Sequence, residues 1–149
     1  MPPLSRRVLV LNGPNLNLLG TRQPELYGSD TLADAVALCE ATAGALGLSV
    51  DARQSNHEGE LVTWIQDARG SFDAIVINPA GYSHTSVAIL DALIMFEGPV
   101  IEVHISQIER REAFRHHTYT SHRADAVIKG CGIEGYALAL RRMATLLAG

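Results

Sequence analysis

The chain alternates short apolar runs with stretches of helical spacing. Residues 8–11 are continuously apolar, as in a strand buried on both faces. The run stops at Asn12-Gly13-Pro14-Asn15, a dense turn signal. Residues 13–30 hold Gly13, Pro14, Gly20, Pro24 and Gly28, and no element is predicted there. A loop that long in a compact domain usually serves function. From Thr31 the period turns helical, with Leu32, Val36, Cys39, Ala43 and Leu46 on one stripe. Thr31 and Asp34 suit its N-terminal cap and Gly47 its end. Residues 48–54 alternate as a strand. Leu61, Ile65 and Ala68 mark a second helix, closed by Gly70. Residues 74–77 repeat the buried-strand pattern, 85–96 form a third helix, and 99–105 a fourth strand. Ser106-Gln107-Ile108-Glu109 has the spacing of a capping box for a short helix. Residues 126–128 give a brief fifth strand, and Ile133, Ala137, Leu140, Ala144 and Leu147 the last helix.

Five alternations of strand and helix predict an α/β fold, a parallel sheet with helices on both faces. The flavodoxin-like three-layer sandwich, with strand order 2-1-3-4-5, fits that count. In such folds ligands sit beyond the C-terminal ends of the strands. The polar clusters fall there: 12–27 after strand 1, 54–58 after strand 2, 78–84 after strand 3, and 102–106 at the end of strand 4. Four loops therefore converge on one crevice. The third helix carries Val87, Leu90 and Ile94 on one stripe and Ile89, Leu93 and Phe96 on the other side. A helix apolar all round must be buried all round, which predicts a subunit interface. Asp91 lies within the first stripe. An intrachain ion pair, a solvent-facing position or an arginine across the interface would each satisfy it.

The 149 residues are expected to form one domain over 1–149. A net charge of −4 opposes non-specific nucleic-acid binding. Eleven of the basic residues are arginine and one, Lys129, is lysine; that bias favours fixed anion contacts, or reflects a GC-rich genome. No run approaches a membrane span, and the apolar run after Arg6-Arg7 is too short for a signal peptide. Cys39 and Cys131 form no metal or redox spacing and are expected to be buried and inert. With no disulfide framework, a cytoplasmic location is expected.

Three groups of residues could carry chemistry. Glu102 and His104 alternate on a strand and so share a face. A carboxylate beside an imidazole orients it for general acid work, although such pairs also occur as plain structure. The backbone N–H groups of Ile105 and Ser106 precede a short helix and could hold an anion. Arg22 and Tyr27 stand on the long first loop. For a tyrosine to act as a base near neutral pH, its anion needs about 4 kcal/mol of preferential stabilisation, which nearby arginines could supply. A loop-anchoring tyrosine is the plainer alternative. His84 near the start of the third helix could donate a hydrogen bond as a neutral ring. Arg111 and Arg115 are four apart and would share one face of the short helix after strand 4. They suggest an acidic or polyhydroxylated ligand, or a solvated basic face. His116, His117 and His122 form no zinc spacing and are expected to be surface or substrate-edge residues, not metal ligands.

The stretches LNGPNLNLLGTRQPELYG, RQSNHEGELVTWIQDAR, NPAGYSHTSVAILDAL, IEVHIS and IKGCGIEGYALAL occur in order across residues 7–147. Together they resemble the type II 3-dehydroquinate dehydratases. The resemblance implies a lyase that converts 3-dehydroquinate to 3-dehydroshikimate by anti elimination through an enolate, without metal or cofactor. Tyr27 would be the base at C2, with Arg22 and Arg111 lowering its pKa. Asn15 would position the water that stabilises the enolate. His104, oriented by Glu102, would protonate the departing C1 hydroxyl. Asn78 and the Ile105 and Ser106 backbone would bind the carboxylate, while His84 and Arg115 hold ring hydroxyls. Asp91 would come from a neighbouring subunit to meet Arg115. The family resemblance also implies a dodecamer, a tetramer of trimers.

Two rival readings are weaker. A flavodoxin-like binding or signalling module would want an acidic cluster or a Ser/Thr-rich phosphate loop after strand 1, and residues 12–15 offer neither. A hydrolase using Glu102, His104 and Ser106 would want a G-x-S-x-G elbow, which is absent.

Overall fold

Alternation along the first strand decides how the layers form. In the computed structural model, which describes residues 5–148 apart from Arg22 and the side chains of Leu26 and Tyr27, β1 spans Arg6–Asn12. Its Val8 and Val10 join one core, while Leu9 and Leu11 join a second on the opposite face. The other strands are β2 (Leu48–Gln54), β3 (Ala74–Asn78), β4 (Val100–His104) and β5 (Ala126–Lys129). They pair in parallel in the order 2-1-3-4-5, as the element pattern predicts. A parallel sheet needs cover on both faces. Helices α2 (Leu32–Ala45) and α5 (Glu134–Ala148) pack on the first core, and α3 (Glu58–Ala68) and α4 (Val87–Ile94) on the second.

Local signals set the helix ends. Thr31 Oγ1 accepts from Asp34 N at 3.1 Å while Asp34 Oδ2 accepts from Thr31 N at 2.9 Å, a closed capping box. The second predicted box fails. Ile108–Arg110 is a single 3-10 turn capped by Gln107 with no side-chain bond, because Ser106 Oγ instead accepts from Arg111 Nη1 at 3.3 Å. The long first loop is also more ordered than expected. It contains a 3-10 turn at Leu16–Leu18 and one short helix, α1 (Pro24–Tyr27), started by proline at its first position.

Helix α4 buries Ile89, Ala92, Leu93 and Phe96 but leaves Val87, Ile94 and Met95 49%, 58% and 53% exposed. Asp91 lies among these exposed residues. Cys39 is buried and burial pushes its thiol up to about 12. Cys131 is exposed, contrary to expectation, because it follows β5 in a glycine-flanked turn rather than lying on a helix stripe. Among the described residues, no helix is long and apolar enough to cross a membrane.

Candidate active site

Strand register places Asn12 beside both Gln54 and Asn78. Their loops therefore leave the sheet side by side. Gly13 N donates to Asn78 O at 2.8 Å, and a Cβ on Gly13 would stand 2.5 Å from Pro79 O. Only glycine lets these two loops meet so closely. Asn15 takes a left-handed backbone, φ 70°. Its N–H donates to Asn56 Oδ1 at 2.9 Å, an oxygen that also accepts from Gln54 Nε2 at 3.1 Å. The polar cluster after β2 thus holds the first loop in place, a role that sequence reading leaves unassigned for Asn56.

Above this edge lies a cavity of about 240 Å³. Sites for drug-sized ligands run to about 300–1,000 Å³, so a small metabolite fits it better. Asn15, Asn78, His84, His104, Ile105, Ser106, Arg111 and Arg115 all line it. Eight of the twelve expected site residues are thereby brought together. Of the remaining four, Glu102 lies directly behind His104. Asp91 is on the outer face of α4. Arg22 lies outside the described residues, as does the side chain of Tyr27, whose backbone ends α1.

A buried network fixes which way Asn78 faces. Its Oδ1 accepts from Ala80 N at 3.1 Å and its Nδ2 donates to Tyr136 Oη at 3.0 Å. Tyr136 Oη in turn donates to Asn12 Oδ1 at 2.6 Å. One Nδ2 hydrogen remains for the cavity, so Asn78 offers it a donor. Tyr136 is fully buried, and burial holds its phenol far above the ordinary range, so it keeps its proton. Sequence reading passes over Tyr136, which sits between Ile133 and Ala137 off the chosen stripe. A phenol in the mostly apolar α5 face is the signal that could have singled it out.

Glu102 and His104 share the β4 face directed at α4, as alternation requires. Glu102 is wholly buried, and His104 Nε2 lies 2.5 Å from its Oε2. Ser121 Oγ donates to the same oxygen at 2.8 Å. Burial pushes the Glu102 carboxyl up, but the bond and charge of His104, with the hydroxyls of Thr120 and Ser121, bring it below its ordinary 4.5. Because Nε2 is held by Glu102, Nδ1 is the nitrogen His104 has left for the cavity.

His84 is arranged differently from expectation. It closes a 3-10 turn at Ala80–His84, and its Nδ1 lies 2.9 Å from His117 O. A carbonyl only accepts, so Nδ1 carries the proton. Burial lowers the pKa of His84 and so favours the neutral ring, against the His117 carbonyl, which raises it, and together with the charges of His104 and Arg115. Its Nε2 therefore presents a lone pair, making His84 an acceptor toward the cavity rather than a donor.

Arg111 and Arg115 do not share one helix. Arg111 follows the turn Ile108–Arg110 and Arg115 ends a second turn, Ala113–Arg115. Both still reach the cavity because the connection curls around its mouth. Arg115 Nε donates to Glu112 Oε2 at 2.5 Å, an intrachain partner the sequence did not suggest. Lys129 pairs with Glu109 and does not line the cavity. Among the described residues, no three His, Cys, Asp or Glu are grouped to hold a metal ion.

The family described as "Dehydroquinase class II" matches residues 6–144. A protein of Streptomyces avermitilis named 3-dehydroquinate dehydratase is 67% identical over 140 residues, 93% of this chain and 88% of that one. One of Cereibacter sphaeroides with the same name is 60% identical over 146 residues, 98% of this chain and 99% of its own. Among solved structures, a type II dehydroquinase from Propionibacterium acnes superposes with a TM-score of 0.92 at 45% identity, covering 97% of this chain and 99% of that chain.

Proposed function

The chain belongs to the class II dehydroquinase family, a family of lyases, and from that membership we propose how its own residues dehydrate 3-dehydroquinate to 3-dehydroshikimate. The observation that carries the mechanism is the Glu102–His104 pair, a buried carboxylate gripping an imidazole at 2.5 Å beneath a cavity lined by two arginines. That pair has the parts of a general acid.

Substrate enters with its carboxylate toward the Asn78 Nδ2 hydrogen and the Ile105–Ser106 backbone. Arg115 and the His84 Nε2 lone pair receive ring hydroxyls, the arginine as donor and the imidazole as acceptor. Tyr27, as the tyrosinate, takes a proton from C2, next to the ketone. Arg22 and Arg111 stabilise the tyrosinate by charge. Electrons from the broken C2–H bond pass to the ketone oxygen, giving an enolate that a water held by Asn15 stabilises. The enolate then collapses: a C1–C2 double bond forms, the C1–O bond breaks, and His104 Nδ1 gives its proton to the leaving hydroxyl. One water departs, the tyrosine proton returns to solvent and His104 takes one up from it, which restores both groups. The two proton transfers take place on opposite faces of the ring, an anti elimination. No metal or cofactor takes part in this route. Asp91 of a neighbouring copy meets Arg115 in a dodecamer.

The test is direct. Chelator-treated protein mixed with 3-dehydroquinate should give a prompt rise in the ultraviolet absorbance of the conjugated enone. No rise at high protein concentration would refute the assigned reaction, and a rise abolished by chelator would refute its metal independence.

A further inference from the structure

The connection between β4 and β5 passes behind the Glu102–His104 pair. There Thr120–His122 forms a 3-10 turn. The turn is firmly anchored: Tyr119 N donates to Ser83 O at 2.7 Å. Arg123 closes it and donates to Leu93 O, Phe96 O and Gly98 O at 3.0, 2.8 and 2.7 Å. The first two carbonyls sit at the C-terminal end of α4, where a cation is favoured. From this fixed turn Ser121 Oγ reaches Glu102 Oε2 at 2.8 Å, and Thr118 Oγ1 donates to Ser121 Oγ. The donors run one way: Thr118 to Ser121, Ser121 to Glu102.

Glu102 Oε2 thus accepts both from His104 and from Ser121, whereas Oε1 is buried without a hydrogen-bond partner among the described residues. The buried Thr120 hydroxyl favours the ionised carboxyl by its proximity but makes no hydrogen bond of good geometry. A carboxyl anchored through one oxygen alone can turn about its Cγ–Cδ bond. With two donors meeting at Oε2, that oxygen stays aimed at the imidazole. We infer that Ser121, backed by Thr118, is a positioning residue for the general acid: its hydroxyl locks the Glu102 carboxylate, and through it the His104 ring, in the orientation that presents Nδ1 to the cavity. The inference rests on the proposed role of His104.

The titratable groups that interact with Glu102 are His104 on its own strand and His84 across the site; the turn behind it contributes the neutral hydroxyls of Thr120 and Ser121. Removing the Ser121 donor takes away support for the carboxylate, so Glu102 binds a proton at higher pH. The experiment is the pH profile of kcat and KM for Ser121→Ala, Ser121→Thr and wild type. Ser121→Ala should lower kcat about tenfold, leave KM within about twofold, and move the acid limb of kcat to higher pH. Ser121→Thr, which keeps the hydroxyl, should recover most of the rate. A wild-type profile in Ser121→Ala, with only a lower melting temperature, would overturn the proposal. Should Ser121→Ala not fold, Thr118→Val decides: a smaller displacement in the same direction supports it and an unchanged profile overturns it. The carbon-13 resonance of the Glu102 carboxyl, assigned through Glu102→Gln, gives a readout independent of turnover. It should titrate at higher pH in Ser121→Ala even if 3-dehydroquinate is not the substrate; an unmoved titration would refute the hydroxyl's role, whereas inactive wild type would refute only the assigned reaction.

Discussion

Tyr136 shows how much a site can depend on a residue that never reaches it. Its hydroxyl joins Asn12 to Asn78 and leaves Asn78 one outward hydrogen. Tyr136→Phe keeps the packing but strands two buried amide groups, at about 1–3 kcal/mol of stability. The melting temperature should fall, and KM should rise roughly tenfold with kcat changed less, since Asn78 binds rather than reacts. Equal KM in variant and wild type would detach Asn78 from substrate binding. Tyr27→Phe should behave in the opposite way. It should lose at least about a hundredfold in kcat while still binding substrate, measurable by calorimetry; near-normal turnover would remove tyrosine from the mechanism. At this scale the sequence was informative where residue type and strand period coincide. Glu102 and His104 two apart on a strand had to share a face. Ser121 and Tyr136 were hidden because nothing in a single side chain's local period says which distant group it will touch. The polarity of His84 depended likewise on a carbonyl 33 positions away.

Elements were legible where one period persisted. The strands, the Thr31 cap and the helices over residues 32–45 and 58–68 follow the pattern within a residue or two. The connection from 105 to 125 was not, because its short 3-10 turns are set by side-chain bonds such as Arg111 to Ser106 rather than by an apolar stripe. Cys131 was misplaced for a related reason: small neighbours mark a turn as readily as a core. Helix α4 read correctly as apolar on both sides, and one side is bare in the isolated chain. If a second copy covers it, Asp91→Ala should weaken assembly, raise KM, or both, as seen by size-exclusion chromatography with kinetics at matched concentration. An unchanged elution volume with unchanged KM would dissociate Asp91 from any interface.

For the whole molecule, the sheet order followed from the alternation of elements, and with it the edge where loops converge. Chain topology alone brings residues from three of the four expected loops to one cavity, while the loop after β2 braces the first through Asn56 instead of lining it, so most of the site could be inferred before any distance was known. The roles proposed for the first loop rest on Arg22 and on the Tyr27 side chain, both outside the described residues, so the tyrosine variant is the measurement that decides them. The scarcity of lysine has a practical side. Lys129 is the chain's one lysine, ends β5 beside His104, is paired with Glu109 and does not line the cavity. Apart from the terminal amine, an amine-reactive dye or activated resin therefore has a single attachment point. Coupling there would give a population held in one orientation, at the same sheet edge as the cavity, whereas general amine cross-linkers would find little to join.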